Sequence, residues 1–153
     1  MCDSRLPPDG STTMASTTES LLELGARAIQ DFTPIHAHCA HLNAFHVYAA
    51  NPELGPIEVS HYCNHFKPNL RQCILYDRDG RLLGIEYMVP EATFAAFPPE
   101  ERKLWHSHLF EVKSGQLVMP QSKIPEGLWE PAESKAVKEL VGWYGKTFHL
   151  WSE

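Results

Sequence analysis

Residues 71–88 read RQCILYDRDGRLLGIEYM. Two apolar runs flank DRDG, and Asp79-Gly80 supplies the positive-φ chemistry of a tight hairpin turn. In the second arm Leu83, Ile85, Tyr87 and Val89 share one face under strict alternation, while Glu86 points the other way with Gly84 and Met88. A carboxylate at mid-strand among apolar neighbours must be paired, protonated or bound to a cation once it is buried. The stretch therefore predicts an antiparallel hairpin and asks what meets Glu86.

Reading outward toward the N-terminus, LNAFHVYAA (42–50) is an apolar, aromatic strand and NPELGP (51–56) a turn cluster. IEVSHYCNH (57–65) alternates, which puts Ile57, Val59, His61, Cys63 and His65 on one face of a regular strand. Earlier still, Ser16-x-x-Glu19 and Ser20-x-x-Glu23 are capping-box patterns. Leu21, Leu24, Ala28, Ile29 and Phe32 then recur at helical spacing, and Pro34 stops the helix. Residues 1–16, rich in Ser, Thr, Pro and Gly, read as a mobile tail.

Toward the C-terminus, residues 90–108 read as two short helical turns broken by Pro98-Pro99. LFEVKSGQLVM (109–119) reads as strand, turn at Ser114-Gly115, strand. PQSKIPEGLWEP is a loop. Residues 131–146 form a helix opened by Pro131, and TFHLW (147–151) adds a last strand. Antiparallel hairpins with flanking helices give an α+β class, with a mostly antiparallel sheet and one domain over 17–153.

The chain has 153 residues and a formal charge of −6. A negative surface repels phosphates, so nucleic acid is excluded as a partner. No run approaches the length of a transmembrane helix. The N-terminus lacks the apolar core of a secretory signal, and the four cysteines form no CxxC pair or dense disulfide pattern. The expectation is a cytoplasmic protein with reduced thiols.

Nine histidines are the compositional oddity, and all but His149 fall between His36 and His108. HYCNH (61–65) and LWHSHLFE (104–111) are the two dense clusters. If their strands are neighbours, His61, His65, His106 and His108 converge on a site suited to Zn, Fe(II), Mn or Ni. Glu86 or Glu111 then serves as general acid/base, Glu111 only if the backbone turns between it and His108. Arg71 would steady an anionic group of a small-molecule substrate, and Trp105, Tyr62 and Tyr87 would wall the pocket. His46, on a face with Ala44 and Tyr48, is a further ligand or an outer support. The competing reading makes these histidines core residues bonded to carbonyls and carboxylates, Glu86 the partner of Arg71, Arg81 or Arg102, and Glu111 the partner of Lys113. The order HxH…E…G has the wrong spacing for a cupin.

FHVYA, HYCNH, RQCILYD, LLGIEYMV, PEERKLWHSHLFEVKSG and YGKTFHLW together resemble the oil body-associated protein family, over roughly residues 34–151. That family is built on a domain of unknown function found in plants, fungi and bacteria. The resemblance implies association with the surface of seed oil bodies in plant relatives and implies no reaction. Two functional readings follow. The first is a small metal-dependent hydrolase, lyase or isomerase. The second is a non-catalytic protein of the lipid-droplet surface, or a small-ligand binder. Tryptophan-rich edges and a strand-dominated middle are compatible with a homodimer.

Overall fold

The computed structural model describes residues 17–48, 51–120 and 125–151. The tail expected over 1–16 lies outside them. The chain falls into two compact units that meet in sequence at Ala37 and His38.

The first unit holds α1 (Thr17–Ile29) and α2 (Thr33–His36). Pro34 does not merely stop a helix. It sits in the first turn of α2, where its missing N–H leaves no intrahelical bond unmade. Leu21, Leu24 and Ile29 of α1 are exposed, so its apolar stripe is turned to solvent.

The second unit is built on a six-stranded antiparallel sheet. Its strands are β1 (Ala40–His46), β2 (Ile57–Lys67), β3 (Leu70–Tyr76), β4 (Leu82–Pro90), β5 (His106–Ser107) and β6 (Trp143–His149), in the spatial order β1-β2-β3-β4-β6-β5. The α+β class expected from the hairpins is the class observed. Asp77, Asp79 and Gly80 make the turn between β3 and β4: Gly80 has φ 82° and the Asp77 carboxylate accepts from the backbone N–H groups of Asp79 and Arg81. The two short helices flanking Pro98 are α3 (Glu91–Ala95) and α4 (Pro99–Arg102).

Three expectations are corrected. Residues 109–114 are not a strand but a helix, α5 (Leu109–Ser114). His108 opens it at φ −78°, ψ 2°, and Gly115 closes it at φ 75°, a left-handed value that suits glycine. The C-terminal helix, α6 (Glu126–Leu140), starts before Pro131, and the chain re-enters the sheet at Trp143. The cysteines of the sheet are not reduced thiols. Cys63 and Cys73 stand directly opposite each other on β2 and β3 and are joined by a disulfide.

Alternation sorts the sheet into two faces. Leu42, Ala44, Val59, Leu75 and Met88 point inward and pack with Leu117, Leu140 and Trp143. The sheet is curled. β1 and β6 are four strands apart, about 19 Å on a flat sheet at ordinary strand spacing. Yet His46 Nδ1 of β1 lies 3.2 Å from His149 Nε2 of β6. The curl wraps the inward face around a small interior, and the histidines collect there.

Candidate functional site

Glu86 is the centre of that interior. It points inward from β4 between Cys73 of β3 and Thr147 of β6 and is 1% exposed. His61, inward on β2 one strand beyond β3, brings Nε2 to 3.4 Å from Glu86 Oε2. His106 pairs with Gly145 in the short β5–β6 ladder and brings its Nε2 to 3.3 Å from Oε1. His108, where β5 turns into α5, brings its Nε2 to 3.5 Å from the same oxygen. One carboxylate oxygen thus faces β2 and the other faces β5.

The rings are held from behind. His61 Nδ1–H donates to the Val59 carbonyl at 3.1 Å, and His108 Nδ1–H donates to the Trp143 carbonyl at 3.1 Å. Each bond makes Nδ1 a donor and aims Nε2 at the interior. His46 Nε2 lies 2.9 Å from His61 Nε2, and His149 follows at 3.2 Å from His46 Nδ1. With His61 Nδ1 already a donor, the chain runs one way: His149 Nε2–H donates to His46, and His46 Nε2–H donates to His61.

Glu111 enters because α5 is a helix. Three residues beyond His108 it returns to the same side, where a regular strand would have faced it away. It lines the interior cavity with His46, His61, Glu86, His106 and His108, against walls of Leu42, Ala44, Met88 and Leu117. That cavity measures about 10 Å³. One buried side-chain oxygen of Glu111 has no hydrogen-bond partner among the described residues.

Burial opposes every charge here, and the neighbours decide which charges survive. Burial alone would raise the Glu86 carboxyl, but the imidazoles of His106, His108 and His61 outweigh it and hold the group well below the usual carboxylate range. Burial depresses His108, and the Glu86 carboxylate more than reverses this. Burial, with His61 alongside, pushes His46 down to about 3. Burial raises Glu111. Among the described residues, two groups have metal-ligand geometry, with ligand atoms mutually within 4.8 Å: His46, His61 and Glu86, and Glu86, His106 and His108.

Of the residues expected at the site, His61, His106, His108, Glu86 and Glu111 meet. His65 does not. It stands four residues further along β2 than His61, about 13 Å at ordinary strand rise, where it is exposed beside Arg71 and Glu139 and not beside Glu86. Arg71 is buried on the inward face but is committed elsewhere: its guanidinium donates to Glu139 at 2.6 Å and lies 4.2 Å over the Trp143 ring. Trp105 donates to the Glu101 carboxylate and packs on Phe97. Tyr62 stacks on His41 on the opposite face of the sheet, and Tyr87 also faces that way. The walls are therefore aliphatic and not aromatic. His149 was missed, since it joins only through the curl.

The family described as "Protein of unknown function (DUF1264)" matches residues 32–153. Among curated proteins, the chain is 40% identical over 145 residues to Oil body-associated protein 1B of Arabidopsis thaliana, covering 93% of this chain and 56% of that protein. It is 40% identical over 139 residues to Oil body-associated protein 1A of Zea mays, covering 88% and 55% respectively. It is 36% identical over 148 residues to Oil body-associated protein 2A of Zea mays, covering 95% and 55%. The chain spans about half the length of these relatives. No solved structure matches it.

Proposed function

Because the chain belongs to the DUF1264 family, that of the oil body-associated proteins, we propose that it is a non-catalytic protein of the lipid-droplet surface. The observation that carries this reading is a row of side chains on the outward face of the sheet. In register across five strands run His41, Tyr62, Ile74, Ile85 and Phe148. Tyr62, Ile85 and Phe148 are 41%, 42% and 47% exposed. Exposed apolar surface that is continuous, not scattered, marks a contact face. Aromatic and branched side chains on a sheet suit the boundary of a lipid monolayer, where one end is apolar and the other wet.

No helix among the described residues is long and apolar enough to cross a membrane, so attachment in this reading is peripheral. The net charge of −6 disfavours attraction to anionic headgroups, which leaves apolar contact as the driving term. The metal-dependent enzyme suggested by the histidines needs space for an organic substrate. Ligand pockets run to roughly 300–1,000 Å³, and the cavity at Glu86 holds about 10 Å³. That disparity favours the non-catalytic reading.

The test is flotation with triacylglycerol droplets coated in phosphatidylcholine. The wild-type chain is expected to rise with the droplets, equally at low and high salt. Ile85→Glu combined with Phe148→Glu is expected to leave it in the aqueous layer with unchanged circular dichroism. Flotation unaffected by that pair but abolished by Leu24→Glu would move the contact to the exposed stripe of α1. A wild-type chain that stays in the aqueous layer would end the reading.

A further inference from the structure

The buried oxygen Oε1 of Glu86 has two imidazole nitrogens beside it, His106 Nε2 at 3.3 Å and His108 Nε2 at 3.5 Å. His108 Nδ1 already donates to the Trp143 carbonyl, so the neutral ring offers only the lone pair of Nε2. A lone pair and a carboxylate oxygen 3.5 Å apart repel unless a cation lies between them. In the metal-free chain a proton on Nε2 takes that place, and a bound ion would displace it.

The spacing fits a metal ion. Two ligands on one tetrahedral ion with bonds of about 2.0–2.1 Å stand about 3.3–3.4 Å apart. Glu86 Oε1 stands 3.3 Å from His106 Nε2 and 3.5 Å from His108 Nε2. The two rings are nearly perpendicular, at 82°, and so approach from different directions. Glu111 lines the same cavity with an unpartnered buried oxygen.

An independent observation lies on β6, the strand between Glu86 and His106. At Gly145 a Cβ would collide with Glu86 Oε1 and would lie 2.8 Å from His106 Nε2. The missing side chain leaves the gap through which the carboxylate and the imidazole face each other across a strand.

We propose that Glu86, His106 and His108 bind one divalent transition-metal ion, with Glu111 as the adjoining carboxylate. The site is of the zinc class, built from nitrogen and oxygen ligands. His61, His46 and His149 stand outside it, because their one-way chain of hydrogen bonds already satisfies them. The assignment drops His65 from the set expected from sequence and replaces it with carboxylates. The ion would pin β5, which has only two residues in the ladder, to β4 across β6. This does not rest on the lipid-surface reading, and neither test decides the other.

The experiment is titration of chelator-treated, refolding-competent full chain with Co(II), followed by its visible ligand-field absorption and by competition with Zn(II). One equivalent is expected to bind and Zn(II) to displace it. His106→Ala is the decisive variant, because its side chain is 40% exposed and its loss leaves the core packed. It is expected to weaken binding by more than the roughly 10–100-fold that loss of an outer partner costs. Glu86→Gln should do the same, and His65→Ala should bind as wild type. Failure of folded wild-type chain to bind either ion overturns the proposal. So does binding that survives His106→Ala, whatever Glu86→Gln does to the fold.

Discussion

Gly145 is the residue on which the interior depends most sharply. Its role comes from what it lacks, since the space a Cβ would take is filled by the Glu86 carboxylate and the His106 ring. Gly145→Ala adds one methyl to a closed contact between a strand backbone and a buried charge. Overpacking of that kind costs about 1–3 kcal/mol. Urea denaturation is expected to show a loss in that range, and histidine resonances of His106 and His108 should shift. An alanine tolerated without cost would mean that Glu86 has room to move aside.

At the scale of elements, the β2–β3 hairpin carries a covalent tie. Cys63 and Cys73 are ten residues apart and directly opposed. Closing a short loop restricts the unfolded chain, and native disulfides contribute about 2–4 kcal/mol. Reductant is expected to lower stability by that order, and Cys63→Ala with Cys73→Ala should make stability insensitive to reductant. Identical denaturation curves with and without reductant would count against the bond. The elements also show where sequence reading works. The hairpin over 71–88 was legible because alternation and an Asp-Gly turn agree, and with it the inward orientation of Glu86. Residues 109–114 misled because LFEVKS carries strand-like apolar content, while its helix is decided by the turn at His108 and the left-handed Gly115. His65 falls short for a different reason: alternation puts it on the face of His61, but four residues of strand carry it about 13 Å away, to the end of β2 beside Arg71 and Glu139. The pairing Cys63–Cys73 follows from register, which letters alone do not fix. His149 meets His46 only because the sheet curls, and no local pattern encodes that.

For the whole molecule, buried imidazoles set the response to acid. His46 is held at about 3 by burial and His61, against an ordinary value of 6.5. Below pH 6.5 the unfolded chain takes up a proton that the folded chain refuses until about pH 3. The unfolded state binds more protons throughout that window, so stability falls as pH falls. One such group gives a slope of about 1.4 kcal/mol per pH unit. Thermal melts of chelator-treated protein are expected to show Tm dropping steadily from pH 6.5 toward 4, and less steeply in His46→Leu. Equal slopes in wild type and His46→Leu would mean that His46 reaches solvent. The same burial explains why composition alone could flag histidine but not assign it: the number of imidazoles was visible, and the enclosure that governs them was not.

The bridge between Asn43 and Val118 has a bearing on how copies of this chain meet. A sheet with open rims offers unpaired N–H and C=O groups that template the addition of further strands, the first step of cross-β stacking. Here Asn43 N–H donates to the Val118 carbonyl at 2.8 Å and Val118 N–H donates back at 2.9 Å, so the middle of the β1 rim is already engaged by its own chain. At the other rim β5 covers only Tyr144 and Gly145 of β6, a tract too short to guide a second chain into register. A protein concentrated on a crowded surface is exposed to strand-by-strand polymerisation more than one diluted in bulk water. These two small closures shorten the stretches of rim on which a second copy could pair.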